Sequence, residues 1–373
     1  MDKEKKGLLQ NPAFQTILSA VICILIGILV GFIVMLIINP SHAAEGMIEI
    51  LQNFMHYKST RMRLQYFGST LVQTAPLLMC ALSVCFCYKV GLFNIGAAGQ
   101  YTIGAAVSMY AALAWHLNWF ICILLAIAAG ALVGALIGFL KATRNVNEVI
   151  SGIMLNWIGL YCTNMLMGKV TDPIKKSETL DLRSYAASSV IPSLGLDKLT
   201  GCQYMTIAVP LSIIIAIVIW VILKKTKFGY ELIATGYNKD AAKYAGMKEN
   251  RNIVITLAIG GGLASCGAAF LYLTGSTPWS IGQTSVPGMG FNGIAATFLG
   301  GLHPIGSIFA SYFIQHITDG GAVILDKTQF PAQMSDLITG LIIYSCGFTA
   351  FFKMLLNNRK NKKSEKAEKG GNN

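Results

Sequence analysis

Charge is what this sequence lacks most. Asp, Glu, Lys and Arg make up 12% of its 373 residues, about half the share of an ordinary soluble domain. So little charge cannot cover a water-exposed surface of this size. Histidine is also scarce: His42, His56, His116, His303 and His316 are scattered and show no H-E-x-x-H spacing. The nine cysteines include no C-x-x-C pair, so neither a disulfide framework nor a zinc site follows from them. No G-x-x-x-x-G-K-[ST] stretch occurs, which excludes a Walker A phosphate loop within this chain. Ten-residue alternating segments are missing too, which argues against an outer-membrane barrel.

What the chain does have is apolar length. Hydrophobic residues reach 54%, and several runs attain the roughly 20 residues needed to cross a bilayer core. The pattern predicts an all-α, polytopic helical membrane protein. About ten spans are expected, at 17–38, 69–88, 92–114, 119–140, 149–168, 205–223, 252–274, 291–302, 305–325 and 335–352. The segment 291–302 is too short to cross as a straight apolar helix. The first run, "ILSAVICILIGILVGFIVMLII", exceeds a signal-peptide core and lacks a clear small-residue cleavage site, so it reads as an anchor.

The net charge of +12 could point to nucleic acid, but its placement points to a membrane surface. Basic residues gather between spans and in the tail 353–373, as expected for cytoplasmic loops near lipid. An even number of passes puts both termini on one side. The bias of Lys and Arg toward that side predicts that 1–16 and 353–373 are cytoplasmic, although "HYKSTRMR" in an outer segment runs against the trend. Two long outer segments follow, 39–68 and 169–204, and one long inner segment, 224–251.

Small and polar residues mark three stretches. "GALVGALIGF" places Gly130, Gly134 and Gly138 on one helical stripe, where small residues let backbones approach. "AIGGGLASCGAAF" is denser still, and its three consecutive glycines could permit bending. "GLFNIGAAGQ", at 91–100, adds Asn94 and Gln100 to its glycines. Such amides inside a span either bridge helices or line a wet cavity. Asn156 lies deep in the 149–168 span. Glu148 sits at that span's inner mouth, and Asp319 lies within "IQHITDGG"; a helix-end carboxylate met by a neighbour is the more frequent case, and a solute-path role is the other. No continuous proton relay is visible. The segments 92–114 and 291–302 both open near Gly and Asn, which suggests that spans two to five are an inverted counterpart of spans seven to ten.

Within 224–251, Asn238 suits an N-cap, "KDAAKYA" about two helical turns, and Gly246 the C′ position. A short capped helix between spans, with Ala241, Ala242, Tyr244 and Ala245 able to face a partner, resembles a docking element. An ordinary interfacial helix is the alternative.

Four stretches in order, "GLFNIGAAGQ" (91–100), "NEVISGIMLNWI" (147–158), "GYELIATGYNKDAAKYAGM" (229–247) and "GIAATFLGGLHPIG" (293–306), together resemble the membrane permease subunits of ABC importers in the branched-chain amino acid, ribose and nucleoside group. They look most like the nucleoside-type permeases, whose motif commonly reads G-L-x-N-I-G-x-E-G-Q; here Ala98 stands at the glutamate position. The resemblance implies a permease domain over 17–352, no ATPase activity in this chain and no cofactor. It implies two cytoplasmic ATPase subunits, a second and often different permease, an extracytoplasmic solute-binding protein, and a prokaryotic plasma membrane. The loop 229–247 would couple to the ATPase through Asn238, Asp240, Ala241, Ala242, Tyr244, Ala245 and Gly246. "GLFNIGAAGQ" would lie near the translocation path. A neutral, hydroxyl-rich aromatic solute would then meet the amides of Asn94, Gln100 and Asn156, with Asn292 alongside, and an apolar wall of Trp157 or Phe291. A simple sugar such as ribose is the rival substrate, and a self-sufficient secondary transporter the rival class.

Overall fold

The computed structural model describes residues 12–328, 330–331, 333–348, 351–352 and 354. Segment 1–16 is therefore described only from Pro12 onward, and the tail 353–373 lies outside the described residues except for Met354. Fifteen α-helices follow in chain order: α1 (Pro12–Ile38), α2 (Ala43–Gln52), α3 (Thr60–Lys89), α4 (Ala97–Leu113), α5 (Trp119–Arg144), α6 (Glu148–Met167), α7 (Leu182–Tyr185), α8 (Leu196–Thr200), α9 (Ala208–Lys225), α10 (Lys227–Tyr237), α11 (Lys239–Tyr244), α12 (Glu249–Tyr272), α13 (Met289–Leu299), α14 (Pro304–Lys327) and α15 (Gln333–Cys346). Among the described residues no strand forms, only two isolated bridges in the 171–179 and 178–280 region.

Each of the ten expected apolar segments carries a helix. Among the described residues, however, six helices are long and apolar enough to cross a membrane: Leu18–Ile38, Thr60–Lys89, Trp119–Arg144, Glu148–Val170, Ala208–Lys225 and Glu249–Tyr272. The 17-residue α4 and the 11-residue α13 reach only about 25 and 17 Å, short of a hydrocarbon core of about 30 Å. Both are cut by glycine. Residues 91–96 stay non-helical before α4, and Gly300 and Gly301 end α13.

The chain divides into two units, Met1–Asn53 with Ile317–Asn373, and Phe54–His316. In the first, α1 packs against α15, with Gly27 set against Ile342 and Gly31 against Ile338. In the second, α3 and α12 form the centre: 89% and 72% of their apolar windows are buried, against 33% for α5, α6 and α9. The polar character of α3 fits its place, since Thr70, Thr74 and Ser83 can bond within protein where lipid would leave them unmet.

The closest packing is between α5 and α12. A Cβ on Gly134 would strike the Leu257 carbonyl, and one on Gly138 would stand 2.7 Å from Val254 Cα. Gly130 meets Ser265 and Gly261 in the same way. α12 runs unbroken through Gly260–Gly262, so these glycines serve contact with Cys87, Gly130 and Ile127 rather than a bend.

Candidate functional site

The site is built around the break between α3 and α4. Val90 and Gly91 close α3 with backbone bonds to Cys87 and Tyr88, and Gly91 takes φ +77. Leu92 to Asn94 then run without helical bonding, and α4 begins after Gly96 with no side-chain cap. Non-helical backbone at this depth survives only inside protein or beside a wet cavity.

Three amides hold it. Asn94 Nδ2 donates to Ser83 Oγ at 3.0 Å and to Gln100 Oε1 at 2.8 Å. Asn156 on α6 accepts from Gly99 N at 2.7 Å and donates to the Ile95 carbonyl at 3.1 Å, so one end of its amide is spent on α4 and the other on the break before it. Ser265 of α12 donates to the Gln100 carbonyl at 2.6 Å. Asn94 and Gln100 are almost wholly buried, yet Asn94 Oδ1 and Gln100 Nε2 have no hydrogen-bond partner among the described residues. A buried acceptor and a buried donor left open cost about 1–3 kcal/mol each, and such groups call for a reason.

The α13 start meets this break. A Cβ on Gly290 would fall against the Ala98 backbone, 2.6 Å from its nitrogen. Gly293 lies against Cys80 and Ala81, and Thr297 Oγ1 donates to the Ala81 carbonyl at 2.7 Å. The N-termini of α4 and α13 therefore touch with no bulk between them.

The structure thus brings Asn94, Gln100 and Asn156 together. The other three expected residues lie apart from that network: Trp157 and Phe291 are exposed and Asn292 is half-buried. Trp157 stacks on Tyr161 along the outward face of α6, centroids 6.4 Å apart. Glu148 forms an ion pair with Lys141 at 2.9 Å. Ser83, Ser265 and Gly290 were not singled out from the sequence. Each is one small residue within an apolar run, and nothing in a run states which helix it will face.

At the C-terminal end of α3, residues 224–251 fold into α10 and α11. Asn238 Oδ1 accepts from Ala241 N at 2.9 Å. Gly246, at φ +80, donates to the Lys243 carbonyl while Met247 donates to that of Ala242, a Schellman ending. Asp240, Ala241, Tyr244 and Ala245 are exposed. Ala242 is buried at 4% exposure, so it faces the protein while Tyr244, at 94%, faces out.

A strap crosses the opposite end of α6. Buried Trp279 donates through Nε1 to Asn164 Oδ1 at 3.1 Å, and Asn164 Nδ2 donates to the Gln283 carbonyl at 2.9 Å. Thr179 takes the Trp279 N–H on its hydroxyl and returns its own N–H to the Trp279 carbonyl. Asn164→Ala should loosen this strap, raising proteolysis between 276 and 288 several-fold with the rest of the fold unchanged, because Trp279 and Gln283 lose both anchors on α6.

Comparison with known proteins places these features in a family. Residues 66–346 match the family described as branched-chain amino acid transport system, permease component. The guanosine ABC transporter permease protein NupP of Bacillus subtilis is 29% identical over 332 residues, covering 88% of this chain and 92% of that one. The nucleoside ABC transporter permease protein NupB of Lactococcus lactis is 30% identical over 376 residues, covering 96% and 98%. A second Bacillus subtilis protein, the guanosine ABC transporter permease protein NupQ, is 28% identical over 264 residues, covering 66% and 78%. With three quarters of its length inside that match and a likeness to transport permeases over nearly its whole length, the chain belongs to the branched-chain amino acid transport system permease family.

Proposed function

We propose that this chain is the membrane-spanning subunit of an ATP-driven importer that passes nucleosides by alternating access. The observation that carries the substrate is the open amide pair: Asn94 Oδ1 is free to accept and Gln100 Nε2 to donate, on two uncharged amides bonded to each other. A nucleobase edge presents the complementary donor and acceptor, and neutral groups avoid the desolvation cost of an ion. The relatives named for guanosine and nucleosides cover nearly the whole chain, which supports the same class. Trp157, Phe291 and Asn292 are then path residues reached in another state, and Asn156 holds α4 in place.

In this reading α4 and α13 complete their crossings through their non-helical leads and, with α14, α15 and the six long apolar helices, make ten passes; the two short helices are counterparts in an inverted repeat. Residues 17–352 form the permease domain, with outer segments 39–68 and 169–204 and both termini in the cytoplasm of a prokaryote. The partners are cytoplasmic ABC ATPases at 238–246, an extracytoplasmic solute-binding protein, and a second permease. Two Bacillus subtilis relatives share the guanosine name, which favours an unlike pair.

The test is reconstitution of the co-purified complex in liposomes. ATP-dependent uptake of labelled inosine or uridine is expected, with unlabelled nucleosides competing and free ribose not competing. Tyr244→Asp, at an exposed position, should cut co-purification of the ATPase by about tenfold, the effect of a lost interface aromatic. Uptake by this chain alone, driven by an ion gradient without any ATPase, would sink the proposal.

A further inference from the structure

α10 has two unlike faces. On one, Leu232 is fully buried with Phe86 of α3 and Val90 just beyond its end, and Thr235 accepts from Asn252 Nδ2 of α12 at 2.9 Å. On the other, Tyr230 and Tyr237 are exposed, and Tyr244 of α11 continues them. The packed face ends at Gly236. A Cβ there would fall on the Val90 carbonyl and stand 3.0 Å from Gly91 N; one on Gly91 would stand 2.9 Å from Gly236 O. Main chain touches main chain at this seam. Gly91 also holds φ +77, which side chains rarely adopt.

A seam of this kind transmits displacement differently from a side-chain contact. Side chains absorb small shifts by changing rotamer, whereas close-packed backbone must move as a body. What would move is the first residue of the break between α3 and α4. Asn94 lies three residues on, within about 10 Å of chain, and is bonded to Ser83 and Gln100. We infer that the Gly236–Val90/Gly91 seam is the positioning contact through which movement of α10 and α11 reaches the Asn94–Gln100 amide pair. Gly236 and Gly91 are its positioning residues, and neither touches solute. This rests on the reading of α10 and α11 as the ATPase docking element.

The experiment compares the wild-type complex with Gly236→Ala and Gly168→Ala, the second at a position where a Cβ meets nothing within 4 Å. Gly236→Ala should still co-purify with the ATPase and hydrolyse ATP. Nucleoside uptake per ATP should fall roughly tenfold, within the range of ordinary inter-site coupling. A merely structural glycine would lower yield and co-purification together and leave uptake per ATP unchanged. Gly168→Ala should match wild type. Hydrogen exchange on the wild-type complex gives a readout independent of any variant. Peptides covering 88–96 should change exchange between nucleotide-free and ATP-trapped states in step with those covering 230–246. Unchanged exchange at 88–96, or unchanged uptake per ATP in a well-assembled Gly236→Ala complex, overturns the inference while leaving the importer reading intact. If wild type itself recruits no ATPase, the importer reading falls and takes this one with it.

Discussion

Replacing Gly134 with leucine is expected to abolish recovery of monodisperse protein from the membrane. The reason is backbone contact. A Cβ at 134 meets the carbonyl of Leu257, with its carbon at 2.7 Å and Ala258 Cα at 3.2 Å, and none of these can rotate away. Overpacking a core side chain costs about 1–3 kcal/mol; forcing two main chains apart also separates Gly130 from Gly261 and Ser265 along the same stripe. Helices in lipid gain no hydrophobic drive to recover from that separation. Gly134→Ala should therefore fold with a lowered melting temperature, and Gly134→Leu should not fold. Leu132→Ala, at 72% exposure on the other face, is the control and should melt like wild type. Size-exclusion profiles and thermal melts in detergent decide it. A monodisperse Gly134→Leu with wild-type melting would mean that α5 and α12 do not cross at this stripe.

Much of this fold was legible because bilayer chemistry writes a strong period into sequence. All ten apolar runs carry helices, and the Gly130–Gly134–Gly138 stripe faces a partner as small-residue spacing predicts. Asn238 and Gly246 bound α11 because capping is local chemistry, readable within six residues. What required the structure is everything set by which helix lies beside which. A sequence can say that Asn94 and Gln100 need partners. It cannot say that Ser83 meets the Asn94 amide or that Ser265 donates to the Gln100 backbone carbonyl, because those partners are 11 and 165 residues away. The same limit applies to Ala242. On a six-residue helix nearly every position can be drawn facing a partner, and only the packing of α11 on its own chain turns this alanine inward. Span count suffers differently. α4 and α13, at 17 and 11 residues, are apolar but too short to cross as straight helices.

Ala98→Glu should eliminate transport, although nucleoside-type permeases commonly carry glutamate at this place in the motif. Ala98 is 1% exposed, and its backbone stands where any Cβ on Gly290 would go. Its own carbonyl already accepts from Thr102 Oγ1 at 2.8 Å. A glutamate has to thrust four further heavy atoms into this seam, and the groups bounding it, the Gly290 backbone and the Thr102 hydroxyl, carry no positive charge. An ionised carboxylate there is untenable, so the acid would stay protonated. Even neutral, it adds an unpaired polar group at about 1–3 kcal/mol to an overpacking cost of similar size. The paired amides beside it would shift with α4. Uptake is expected to fall more than tenfold, since about 1.4 kcal/mol already gives that factor, with Ala98→Ser close to wild type. The readouts are nucleoside uptake in liposomes and protein yield, taken together. If Ala98→Glu assembles and transports normally, α4 and α13 must part at Ala98 and Gly290 in the working protein. The contact between their N-termini would then be a closed gate that a longer side chain at position 98 can enter only when it opens.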